Sequence, residues 1–323
     1  MKFPIGIQSF EQIIEEGYIY VDKTDIVYDL THNGKIYFLS RPRRFGKSLL
    51  VSTLENYYSG RKELFRGLAI EKMETEWNEY PVFHVDFNAT NFTNSGELEM
   101  KLNFYLVEWE QKYNLPNRTN ELGLGDRFIK ILEAAHLQTG RRAVVLVDEY
   151  DKPILDVLDI DANLENNHRN ILKAFYSVFK GADKHLQFVL LTGVTKFSQV
   201  SVFSGFNQPK DISMDARYEA LCGITQKETE EYFTEPVSQM AVEYQCTQQE
   251  MYKLLKQQYD GYHFSDKLTD IYNPFSLLNA LDAKRIKDYW FSTGTPTYLI
   301  RLLNHSHERM NEFTGKYYTP AEF

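Results

Sequence analysis

Three groups of side chains in this sequence have the types and spacing to do chemistry. The first is the run Ser40-Arg41-Pro42-Arg43-Arg44-Phe45-Gly46-Lys47-Ser48-Leu49. A glycine lets the backbone approach an anion with no Cβ in the way. A lysine directly after it can reach phosphate oxygens, and a serine hydroxyl can hold Mg²⁺. The run fits the phosphate-loop pattern G-x-x-x-x-G-K-S/T, except that Arg41 stands where the first glycine belongs. Arg43, Arg44, Phe45, Gly46, Lys47, Ser48 and Leu49 are therefore assigned to the phosphates of a nucleotide. Cations at 41, 43, 44 and 47 crowd one loop, which is unfavourable unless an anion or solvent compensates.

The second group is Asp148-Glu149, two carboxylates ending the apolar run Ala143–Val147. In a parallel sheet, ligands sit outside the carboxyl ends of the strands. Asp148 would then face the crevice of Ser48 and hold Mg²⁺ with it. Glu149 would stand by the terminal phosphate as the group that orients or deprotonates water. The third group is Thr192 at the end of Leu190-Leu191-Thr192-Gly193, with Lys196 beyond it. A polar residue at a neighbouring strand tip can hold the attacking water or sense the terminal phosphate. Lys196 is a cation within reach of the same place. Arg141 and Arg142 precede the acidic strand at its far end, too far for a cis arginine finger, which leaves open one acting in trans from another subunit.

These side chains need a scaffold, and the pattern supplies one. Lys35–Ser40, Pro81–Phe87, Ala143–Asp148 and Gln187–Thr192 read as strands, three of them nearly continuous in apolar residues, as strands covered on both faces are. Between them, Ser48–Tyr58, Asp126–Leu137 and His168–Phe179 have helical spacing. Alternating strands and helices predict a three-layer α/β fold with a parallel sheet. After about Cys222 the pattern turns helical, over Gln226–Tyr244, Thr247–Tyr259 and Pro274–Lys284. The expected division is a core over 1–221 and a smaller helical subdomain over 222–323.

Composition narrows the class. The chain has 323 residues, a formal net charge of −9, 25% charged and 43% hydrophobic residues, as an ordinary globular chain does. The acidic balance gives no global pull toward nucleic acid. No signal-like stretch opens the chain and no apolar run is long enough for a bilayer, so the cytoplasm is the default. Cys222 and Cys246 are the two cysteines, read as buried, inert thiols without metal-ligand spacing.

Longer phrases carry a resemblance. Tyr20-Val21-Asp22-Lys23-Thr24, then SRPRRFGKS over 40–48 and VDEYDKP over 147–153, resemble the bacterial AAA-ATPase-like family. LTGVTKF (191–197), SVFSGFNQPKDIS (201–213), YDGYHF (259–264), YNPFS (272–276) and YWFSTGTPTYL (289–299) continue it. The resemblance implies an AAA-like P-loop core, a helical or winged-helix extension, and ATP with Mg²⁺ as ligands. It also makes the RPRRFGKS form usual. Many members continue into a PD-(D/E)XK nuclease-like domain, and this chain is expected to stop before it. Glu110-Gln111-Lys112 and Asp282-Ala283-Lys284 have the acid-x-Lys spacing of such nucleases but fall in helical patterns, so both read as solvated helix faces. Asp22-Lys23-Thr24 reads either as a neighbour of the adenine or ribose or as a structural turn.

Three functions follow. One is a Mg²⁺-dependent ATPase that powers or gates a partner, a second copy or a nuclease-like domain. The second is a nucleotide-gated interaction module with little hydrolysis. The third is a nucleic-acid-associated regulator, for which no aromatic-basic stripe is visible.

Overall fold

The computed structural model describes residues 1–117, 121–196 and 209–290. The 201–208 and 291–299 parts of two family-like phrases, and Phe197 of a third, lie outside the described residues.

Five parallel strands form the sheet: β1 (Ile36–Ser40), β2 (Val82–Asp86), β3 (Ala143–Asp148), β4 (Leu186–Gly193) and β5 (Lys210–Asp211), in the order β2-β3-β4-β1-β5. The strand of the loop and the strand of the acids are thus separated by β4. Every residue of β3 is buried, because both faces are covered. Side chains alternate across the strand. Val145 and Val147 pack to one face with Phe83, Leu106, Phe128 and Phe175. Val144 and Leu146 pack to the other with Tyr37, Leu39, Leu54 and Phe188. The two-residue β5 is too short to carry a periodic signal, and sequence reading expected only the other four.

On the second face lie α1 (Phe10–Glu15), α2 (Thr24–His32) and α3 (Lys47–Tyr58). On the first lie α4 (Glu97–Lys112), α5 (Leu124–Thr139) and α7 (Ala162–Tyr176), with the short α6 (Lys152–Leu155) and α8 (Val178–Gly181). The helix expected over 168–179 begins earlier, at Ala162. There the Asp161 carboxylate accepts from the Asn163 and Leu164 N–H groups, satisfying donors that a helix start leaves free.

Beyond the sheet, β6 (Ile224–Thr225) pairs antiparallel with β7 (Ile271–Tyr272). Among the described residues four helices accompany them: α9 (Gln226–Tyr232), α10 (Thr234–Glu243), α11 (Gln248–Tyr259) and α12 (Pro274–Ala283). The single helix expected over 226–244 is two, broken at the fully buried Phe233. Pro236 has no N–H to give the Tyr232 carbonyl, so one helix cannot run through. The core here contains Phe233, Met251, Leu255 and Leu277, and Phe3, Ile5, Ile19 and Val21 from the start of the chain pack against it.

Two expectations are corrected. Glu110 is not on a solvated face: it is buried, and its two oxygens accept from Arg127 Nε and Nη2 at 2.7 and 2.8 Å. Cys222 is buried as expected, but Cys246 is only partly so.

Candidate functional site

The loop leaves β1 and enters α3 through Gly46, whose φ of 91° is open to glycine at little cost. Arg44, at φ 69°, makes the preceding left-handed turn. The twelve-residue α3 then starts at Lys47, so free N–H groups and the positive end of its dipole face outward. Lys47 is buried, and its Nζ donates to the carbonyls of Arg41 and Pro42 at 3.0 and 3.3 Å. The ammonium is folded back over its own loop, poised where an anion would sit.

In front of the loop is a cavity of about 330 Å³. Arg43, Arg44, Gly46, Lys47, Ser48 and Leu49 all line it. Glu149 lines the same cavity from the end of β3. Phe45 does not. Its ring is fully buried behind the loop, 4.7 Å from Tyr262 and 5.4 Å from Phe264 between centroids. Its carbonyl accepts from the Gly223 N–H at 3.1 Å.

Arg41 corrects the reading that four cations compete for one anion. Its side chain runs behind the loop and is 1% exposed. The guanidinium lies 3.9 Å from the Phe264 ring centroid and donates to the carbonyls of Ser40, Ser213 and Tyr218. Burial pulls its pKa down to about 10. Its charge is thus compensated by carbonyls and a π face, and three of the loop's four cations line the cavity.

The acid pair divides its work. Asp148 is 2% exposed, and the Thr192 hydroxyl donates to its Oδ1. The aligned strand ends explain this, since Val147 is in register with Leu191 and Asp148 with Asp86. Thr192 is fully buried and lies against Asp148 rather than on the cavity wall. Glu149 turns outward at φ 54°, a left-handed conformation unusual for a non-glycine residue. Burial holds its carboxyl above the ordinary value of 4.5; Lys47 and Arg43 pull it back, while Asp151 and Asp148 push it further up. Lys196 is not brought to the cavity: its Nζ is 3.2 Å from Asp211 Oδ2, on β5.

Asp151 braces this turn. Fully buried, it accepts from the N–H groups of Val194 and Thr195 and from the Thr195 hydroxyl at 2.7 to 3.1 Å. Gly193 is the close approach that permits it, since a Cβ there would lie 2.5 Å from the Tyr150 ring and 2.8 Å from Asp151 Oδ1.

Sequence reading missed several walls of the cavity. The segment Pro4–Gln8, Asn88 after β2, Lys152, and Pro274 with Phe275 at the start of α12 also line it. Asn88 carried a usable signal, a polar residue just past a strand beside the acidic one. Pro4–Gln8 carried none. Pro4, Gly46, Leu49, Pro274 and Leu278 are shared with a second, mainly apolar cavity of about 100 Å³. Asp22 and Lys23 act as a clamp: Asp22 accepts from the Thr24 and Ala69 N–H groups at 2.9 and 2.7 Å, and Lys23 pairs with Glu228. Lys23 also edges the smaller cavity.

The donor set fits a hard cation arriving with a phosphate ligand. Among the described residues no three His, Cys, Asp or Glu side chains form a metal cage. Ser48 offers a hydroxyl on the cavity wall, whereas Asp148 is buried beside Thr192 and does not line the cavity. A hydroxyl and a carboxylate are the sparse oxygen set that would suit Mg²⁺ where phosphates and water complete its shell.

The profile of a family described as "Predicted AAA-ATPase" matches residues 4–203, which include the loop, both acids and β4. A protein of Azotobacter chroococcum mcd 1, described as "Uncharacterized protein in vnfD 5'region", is 40% identical over 303 residues. That alignment takes in 94% of this chain and 56% of the other protein, so the chain spans little more than half the length of this relative. With its loop, its acid pair and the four longer strands of the sheet all inside the matched segment, the chain belongs to the AAA-ATPase-like family.

Proposed function

We propose that this chain binds ATP with Mg²⁺ in the 330 Å³ cavity and hydrolyses it. The observation that carries the reading is the meeting of a helix start, Lys47 and Ser48 with Glu149 on one cavity. Backbone N–H groups at the start of α3 cradle the phosphates. Lys47 exchanges the carbonyls of Arg41 and Pro42 for phosphate oxygens, and Arg43 and Arg44 add charge at the rim. Ser48 and Asp148 would hold Mg²⁺, which supplies charge neutralisation on the phosphate oxygens when bound. Glu149, with its raised pKa, takes the water proton; a base works best when its pKa approaches the working pH. Thr192 positions Asp148 through its hydroxyl. The smaller apolar cavity, walled by Tyr20, Val21, Cys222 and Phe233, suits the planar base.

What the turnover drives belongs to the rest of the assembly: a protein partner, a second copy giving an arginine in trans, or a nuclease-like domain. Calorimetric titration of ATP with Mg²⁺ tests the site. Lys47→Ala should weaken binding at least ~100-fold, about 2.7 kcal/mol, with little change in melting temperature. Equal affinity in the variant would remove the assignment.

A further inference from the structure

A further cavity, of about 440 Å³, lies behind the phosphate loop and shares no lining residue with the 330 Å³ cavity. Its walls include Tyr259, Tyr262, Tyr289 and Trp290, and its polar members include Asp260 and Asn273. Both polar residues have an atom with no partner. Asp260 Oδ1 accepts from the Gly261 N–H at 2.6 Å, whereas Oδ2 is buried and unpaired. The Asp260 side chain is 2% exposed. Lys256 Nζ makes only a long ion pair with Oδ2, at 3.9 Å, and donates its hydrogen bond to Asp270 at 2.5 Å. Asn273 is 2% exposed. Its Oδ1 accepts from the Ser276 N–H at 3.0 Å, which fixes the amide orientation and leaves Nδ2 as a buried donor with no acceptor.

A buried carboxylate oxygen with no hydrogen bond and only a distant, shared lysine is costly to keep. Aromatic walls around such a carboxylate attract cations through their π faces. A bare metal ion does not suit it: no third carboxylate, histidine or cysteine joins the cluster among the described residues. Asn273 calls for an acceptor on the same ligand. We propose that this cavity binds an organic cation with N–H donors, a guanidinium or alkylammonium group, carrying a carbonyl or hydroxyl oxygen nearby. The cation pairs with Asp260 Oδ2 between the rings, and the oxygen accepts from Asn273 Nδ2. Two walls also hold the phosphate loop. Trp290 Nε1 donates to the Arg43 carbonyl at 3.1 Å, and the Tyr262 ring packs on Phe45. An occupant would therefore touch the back of the loop.

The test is calorimetric titration of the full chain with L-argininamide and with L-citrullinamide, which has the same shape but an uncharged urea. Argininamide should bind saturably, and citrullinamide at least about 10-fold more weakly. Asp260→Asn should lose argininamide to the same degree while keeping its melting temperature. The pair of probes decides the matter in wild-type protein even if the variant does not fold. Sedimentation separates the sources of the cation. A free amine binds monomers; a side chain of a second copy makes the wild type self-associate, with argininamide and Asp260→Asn both dissociating it. Equal binding of the two amides, or no argininamide binding together with no Asp260-dependent association, would overturn the proposal.

Discussion

The phosphate loop has a front and a back, and adjacent residues of the same chain divide between them. On the front, Arg43, Gly46, Lys47 and Ser48 face a cavity. On the back, Arg41 and Phe45 are almost or wholly shielded from water and lock onto Phe264 and Tyr262, more than two hundred residues later. The front must stay open and polar to receive an anion. The back must be closed, because a loop of backbone donors holds its shape only if something rigid supports it. One short segment thus turns most of its residues to the cavity and uses Arg41 and Phe45 for rigidity.

The division can be broken experimentally. The largest effect belongs to the front. Glu149→Gln should bind ATP as before yet lose roughly 10²–10⁴-fold in phosphate release, the usual worth of a positioned base; unchanged turnover would send the search for the base elsewhere. On the back, Phe45→Ala should cost about 3–5 kcal/mol of stability in denaturant unfolding, as large core truncations do. A loss below about 1 kcal/mol would mean the back is not a support. Arg41→Gly restores the common glycine, and a reading by motif alone would expect it to be harmless. The three carbonyls it would strand predict a loss of about 2–4 kcal/mol instead.

The smallest effect is a pH dependence. Burial raises the folded-state pKa of Glu149 above 4.5. Below that value both folded and unfolded chains hold the proton, so the group costs nothing. As pH rises through the folded pKa, the folded state is penalised for ionising it. Glu149→Gln should therefore melt slightly higher than the wild type at neutral pH, and the difference should vanish below about pH 4.5. A difference that grew on acidification would reverse the sign of this argument.

How much was legible in the sequence follows the same front-to-back line. Gly46, Lys47 and Ser48 are read locally, because a helix start and a preceding strand suffice to give them a role. β3 announced itself because burial on both faces leaves a continuous apolar run. Arg41 could not be read this way. Its partners are the carbonyls of Ser213 and Tyr218 and the ring of Phe264, and no local pattern encodes contacts over such separations. Thr192 was placed at the right strand tip, but only the register with β3 shows that its hydroxyl serves Asp148. Glu110 misled because helical spacing does not reveal that Arg127 waits on the facing helix.

Pro4–Gln8 and Pro274–Leu278 wall the same chamber. A ribosome delivers the first of these segments well before the second. The loop and its acids are therefore made long before the chamber has its full enclosure. A nascent chain halted ahead of Pro274 would carry Lys47, Ser48, Asp148 and Glu149, yet would leave one side of the pocket open to water.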